Sequence, residues 1–113
     1  MSIKTVQTWE DETLDLKENL LRGVYAYGFE KPSPIQKTAV PTMVAETKAG
    51  ERRDIIAQAQ SGTGKTGAFT VSTLQIIKEN EKKTQALILA PTHELANQIF
   101  ACVNDLGRYL KIT

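Results

Sequence analysis

The sequence predicts an α/β fold, a parallel sheet with flanking helices, and three observations lead to it. Ile55 to Ala59 is a short apolar run with β-branched members that stops at a glycine-rich turn. Helix-forming residues resume from Lys65 to about Asn80, and Ala86 to Ala90 makes a second apolar run. Beyond it Leu95, Ile99, Cys102, Leu106 and Leu110 keep a helical period, with Thr92 placed to cap that helix. Strand, helix, strand and helix in this order imply a right-handed crossover between parallel strands.

The elements before the first run read as helical. Residues 1–13 are polar around Trp9 and read as an extended leader. Asp15 can cap a helix whose box Glu18 completes. Leu16, Leu20 and Val24 then share one face, Leu21 and Tyr27 widen it, and Gly28 stands where a left-handed residue ends a helix. Pro32-Ser33-Pro34 launches the next helix, with Ser33 as cap and Pro34 at the first helical position. Ile35, Ala39, Met43 and Val44 supply its buried face, and Pro41 inside it predicts a kink. The stretch 45–54 is polar, contains Gly50 and reads as a surface loop.

Composition narrows the class. At 113 residues the chain suits one small domain, and 41% apolar with 24% charged residues is ordinary for a soluble protein. Its longest apolar run, Ala86 to Ala90, is far short of a bilayer span, and no membrane role is expected. The first residues lack the cationic-then-apolar pattern of a secretory signal. Cys102 is the sole cysteine, so no intrachain disulfide forms, and a cytosolic or nuclear setting fits. A formal charge of +1 does not generate the field of a protein that holds nucleic acid by bulk attraction, so any RNA must be held by a few placed groups.

The strongest chemical signal is Ala59-Gln60-Ser61-Gly62-Thr63-Gly64-Lys65-Thr66, the phosphate-loop pattern with alanine for its first glycine. It joins an expected strand to an expected helix, as the chemistry requires. Gly62 and Gly64 let the backbone of Ser61 to Gly64 curl so that successive N–H groups face phosphate oxygens. The following helix adds its positive dipole end. Lys65 reaches the β- and γ-phosphates, and the Thr66 hydroxyl can ligate Mg²⁺.

Upstream, Gly28-Phe29-Glu30-Lys31-Pro32-Ser33-Pro34-Ile35-Gln36 resembles the Q motif of the DEAD-box RNA helicases. Taken singly, Gln36 reads as an exposed helical residue, Phe29 as core and Trp9 as cover for an apolar edge. The ordered set followed by a phosphate loop carries the likeness. The resemblance implies that Gln36 reads the adenine edge of ATP, that Ser33 braces the phosphate loop, and that an upstream aromatic, Trp9, packs on the base beside Phe29. A glutamine amide donates one hydrogen bond and accepts another, which suits adenine N6 and N7. Ala90-Pro91-Thr92-His93-Glu94-Leu95-Ala96 is similar to the family's motif Ia, where the usual residue at His93 is arginine. That likeness implies contacts from Pro91, Thr92 and His93 to the backbone of single-stranded RNA. Two further departures are Trp9, where phenylalanine is usual, and a longer stretch from Glu46 to Arg53.

The resemblance places residues 14–113 in the first half of a RecA-like ATP-binding domain, with the adenine element at 28–36, the phosphate loop at 59–66 and motif Ia at 90–96. It implies an ATPase that unwinds RNA, with ATP and Mg²⁺ as cofactors. The stretches Leu20 to Phe29 and Ala57 to Thr66 most resemble the translation-initiation branch, which implies a cytoplasmic protein with initiation scaffold partners. No Asp-Glu-Ala-Asp sequence occurs, so the 113 residues alone are expected not to hydrolyse ATP. The alternatives are a non-catalytic ATP-binding product and another phosphate-loop enzyme such as a small-molecule kinase.

Overall fold

The structure, a computed structural model, describes residues 5–12, 14–45, 54–56, 58 and 64–111. Four helices follow one another: α1 at Glu18–Tyr27, α2 at Pro34–Val44, α3 at Lys65–Ile76 and α4 at His93–Leu106. α2 packs along α3, while α4 lies against α1 and α3. Of the expected loop 45–54, residues 46–53 lie outside the described residues, as do Ala57 and Ala59 of the first apolar run.

α1 buries the expected stripe, with Leu20 and Val24 fully inside. Burying each contributes about 1.5–3 kcal/mol. Its start differs from expectation. Asp15 does not cap it: Lys17 occupies the cap position without a side-chain bond, and Asp15 takes a φ of 45°. A tertiary partner replaces the local one. The Gln75 side chain accepts from the Lys17 N–H at 2.9 Å and donates to the Asp15 carbonyl at 3.0 Å. The Lys17 ammonium donates to the Leu74 carbonyl at 3.0 Å and to that of Ile77, covering acceptors left open at the end of α3.

α1 ends as patterned. Gly28 has φ 105°, its N–H bonds to the Tyr25 carbonyl, and the Phe29 N–H reaches the Val24 carbonyl. This paired closure ends α1 and turns the chain towards α2. Gly23 brings α1 onto α4, since a Cβ there would lie 2.0 Å from the Leu106 carbonyl oxygen.

In α2 the Ser33 side chain accepts from the Gln36 N–H and Gln36 returns a bond to the Ser33 N–H, a capping box with Pro34 at the first turn. The helix runs on through Pro41 to Val44. Lacking an N–H, Pro41 leaves the Lys37 carbonyl free, and the Val6 N–H bonds to it at 3.1 Å. Residues 5–12 bend and turn, and Val6 and Trp9 join the core formed with Leu14, Leu20, Val40 and Leu106.

The expected parallel sheet is not formed among the described residues, none of which is in a strand. Ile56 is 94% exposed, and Leu87 and Leu89 are 81% and 84% exposed. Ala86, Ile88 and Ala90 face Ile99, Phe100 and Val103 of α4 across a cleft of about 270 Å³. The run 86–90 thus shows the side-chain alternation of a strand without a ladder. A strand exists through its hydrogen-bonded neighbours, and these apolar runs find none among the described residues. α3 also stops at Ile76, short of Asn80. No helix of the described residues is long and apolar enough to cross a membrane.

Candidate nucleotide site

The site is built where α2 meets the start of α3. Gly64 caps α3 with φ 96°, a left-handed backbone that glycine adopts at little cost. Lys65 opens the helix and is exposed, Thr66 is half-buried, and the first N–H groups of α3 lie at its positive end. Ser61, Gly62 and Thr63 lie outside the described residues.

Gln36 is the joint between the two elements. Contrary to the reading of it alone as an exposed residue, it is 2% exposed. Its Oε1 accepts from the Ser33 N–H at 2.9 Å, and its Nε2 donates to the Gly64 carbonyl at 3.2 Å. An amide N–H and a carbonyl as partners fix which end of the side chain is which. The fit leaves no spare volume: a Cβ on Gly64 would lie 2.6 Å from Ser33 Oγ and 2.7 Å from Gln36 Nε2.

The aromatics complete the wall. Phe29 is half-buried, packs edge-on against Tyr27 at 4.9 Å between centroids, and lies against Gly67 of α3. Trp9 is 1% exposed and stacks on Phe29 at 6.4 Å with planes 20° apart. The structure therefore brings together Trp9, Phe29, Ser33, Gln36 and Gly64, five residues singled out in the sequence. Trp9 presents no open face, since its ring is covered. Sequence reasoning missed Gly67, although a glycine inside a helix is itself a mark of close approach.

Sequence and fold likenesses to known proteins are extensive. The sequence pattern of the DEAD/DEAH box helicase family fits residues 33–113. The chain belongs to the DEAD/DEAH box helicase family. It is 55% identical over 102 residues to the ATP-dependent RNA helicase eIF4A of Candida albicans, covering 90% of this chain and 24% of that protein. It is 50% identical over 101 residues to the ATP-dependent RNA helicase FAL1 of Yarrowia lipolytica, covering 89% and 24%. Its fold superposes with a TM-score of 0.86 on S. cerevisiae Dbp5 bound to RNA and ADP BeF3, at 40% identity over 96% of this chain and 26% of that one. A DEAD box protein from Methanococcus jannaschii superposes with a TM-score of 0.80 at 30% identity, covering 96% and 27%. The chain spans about a quarter of the length of the curated relatives it matches.

The residues expected to meet RNA lie at the start of α4. Pro91, Thr92 and His93 are exposed at the start of α4. Thr92 Oγ1 accepts from the Leu95 N–H at 3.1 Å, so the expected cap is present and its O–H remains free to donate. His93 is the first helical residue, beside N–H groups directed out of the helix end.

Proposed function

We propose that this chain is the ATP-binding portion of an ATP-dependent RNA helicase that couples ATP binding and hydrolysis to RNA unwinding in translation initiation. The observation that carries the reading is the bond from Gln36 to the Gly64 carbonyl, which makes the adenine element and the phosphate-binding helix start one unit. Beyond its two bonds, the Gln36 amide retains one N–H and one lone pair, the set an adenine edge needs. Phe29 flanks that position and Trp9 acts through it, as the backing of the Phe29 ring. Lys65 and the backbone of Ser61 to Gly64 take the phosphates.

Mg²⁺ fits as a companion of the nucleotide. Among the described residues no group of three His, Cys, Asp or Glu side chains could hold a metal. The Thr66 hydroxyl supplies one oxygen, and phosphates and water supply the others. Pro91, Thr92 and His93 take the RNA backbone through a hydroxyl and helix N–H groups. The runs 55–59 and 86–90 become parallel strands once paired, which the alternation at 86–90 supports. RNA and initiation scaffold proteins in the cytoplasm are the partners of this reading.

Titration with a fluorescent ATP analogue tests it. Lys65→Ala removes a charge-assisted contact worth about 1.5–3 kcal/mol and is expected to weaken binding at least tenfold. Unlabelled ATP should displace the probe better than GTP. Unchanged affinity in a folded Lys65→Ala chain, or equal displacement by GTP, overturns the assignment.

A further inference from the structure

We propose that Pro41 is a positioning residue, which hands the Lys37 carbonyl to Val6 and so pins the segment carrying Trp9 against Phe29. In an uninterrupted helix the N–H of residue 41 bonds to the carbonyl of residue 37. Pro41 has no N–H, and it is buried inside α2. The Lys37 carbonyl instead accepts from the Val6 N–H at 3.1 Å, a tertiary bond across 31 positions of sequence. An unfilled acceptor here is costly to bury, so the proline makes docking of Val6 favourable.

Two more contacts extend the strap in chain order. Trp9 stacks on Phe29, and Tyr25 Oη donates to Glu10 Oε2 at 3.1 Å. Val6 and Trp9 are both 1% exposed. The strap thus backs the ring that lies against Gly67, in the first turn of α3. Pro41 acts at a distance from the phosphates, through the segment it anchors.

The consequence for nucleotide affinity rests on the ATP-binding reading above, whereas the strap itself can be tested without nucleotide. Trp9 is the only tryptophan, so its fluorescence reports the strap alone. Pro41→Ala restores an N–H that competes for the Lys37 carbonyl and improves α2 as a helix. It is expected to raise acrylamide quenching of Trp9 at least twofold and to speed hydrogen exchange at the Val6 amide at least tenfold, with helical circular dichroism kept. Val6→Pro removes the donor from the other side and should reproduce the quenching, while Val6→Ala, which keeps the N–H, should change it much less.

If Pro41→Ala leaves quenching and Val6 exchange at wild-type values, the carbonyl serves both donors and the proposal falls. If Val6→Pro does not expose Trp9, the bond is not what holds the strap. Fluorescent-ATP affinity is then compared: exposure of Trp9 with a several-fold loss of affinity supports positioning. Exposure with unchanged affinity leaves the strap purely structural and overturns the role. Should wild type itself not bind ATP, the ATP-binding reading fails while the quenching result stands.

Discussion

The Gln36 side chain ties Ser33 of one helix start to Gly64 of another, through Oε1 at 2.9 Å and Nε2 at 3.2 Å. One amide therefore stands between the element expected to read the base and the turn expected to hold the phosphates.

Gln36→Ala should weaken both ATP and inorganic tripolyphosphate, because it leaves the Ser33 N–H and the Gly64 carbonyl without their partner. The unsatisfied groups cost about 1–3 kcal/mol in stability. Parallel titrations with the two ligands and a thermal melt check this. Loss of ATP binding alone would mean that Gly64 holds its position unaided.

Gly23→Ala should destabilise the fold strongly. Its Cβ would meet the Leu106 carbonyl oxygen at 2.0 Å, and backbone cannot step aside as a side-chain tip can. Overpacking of this kind costs about 1–3 kcal/mol or more. A denaturant melt followed by circular dichroism gives the number, and an unchanged midpoint would place α1 farther from α4.

Lys17 gives a pH dependence with a definite sign. Burial pushes its ammonium below the usual 10.5, partly opposed by Glu79. The unfolded chain then holds that proton more tightly, so stability contributed at this position rises as pH climbs towards 10.5. Lys17→Met keeps the stem, and its stability should show less of this rise over the alkaline range. The raised hydroxyl of Tyr25, caused first by burial and then by its bond to Glu10, is common to both proteins and cancels in the difference. Parallel slopes for the two proteins would count against partial burial of the ammonium.

The 113 residues should bind ATP without turning it over and should self-associate at high concentration. Phosphoryl transfer needs a metal-holding carboxylate and a group to place water, and no Asp-Glu-Ala-Asp sequence is present to supply them. Ile56, Leu87, Leu89 and Phe100 leave large apolar side chains in water. Phosphate release and light scattering measure the two outcomes; turnover that is lost in Lys65→Ala would contradict the first.

Local patterning sufficed for the positions of the helices and for several of their ends. A capping box, a helix-ending glycine and a 3.6-residue apolar period act within a few residues, so Ser33, Gly28, Thr92 and the stripe of α1 could be read directly. The lysine-threonine helix start was legible for the same reason. What depends on partners distant in sequence was decided by packing. Gln36 became a buried joint because Gly64 came to lie beside it, and Trp9 became core because Pro41 left an acceptor for Val6. Asp15 does not cap α1, and Gln75, sixty positions away, accepts from the Lys17 N–H and donates to the Asp15 carbonyl. The two apolar runs carry the composition of strands, yet a strand is made by its neighbour, and no residue among those described pairs with them.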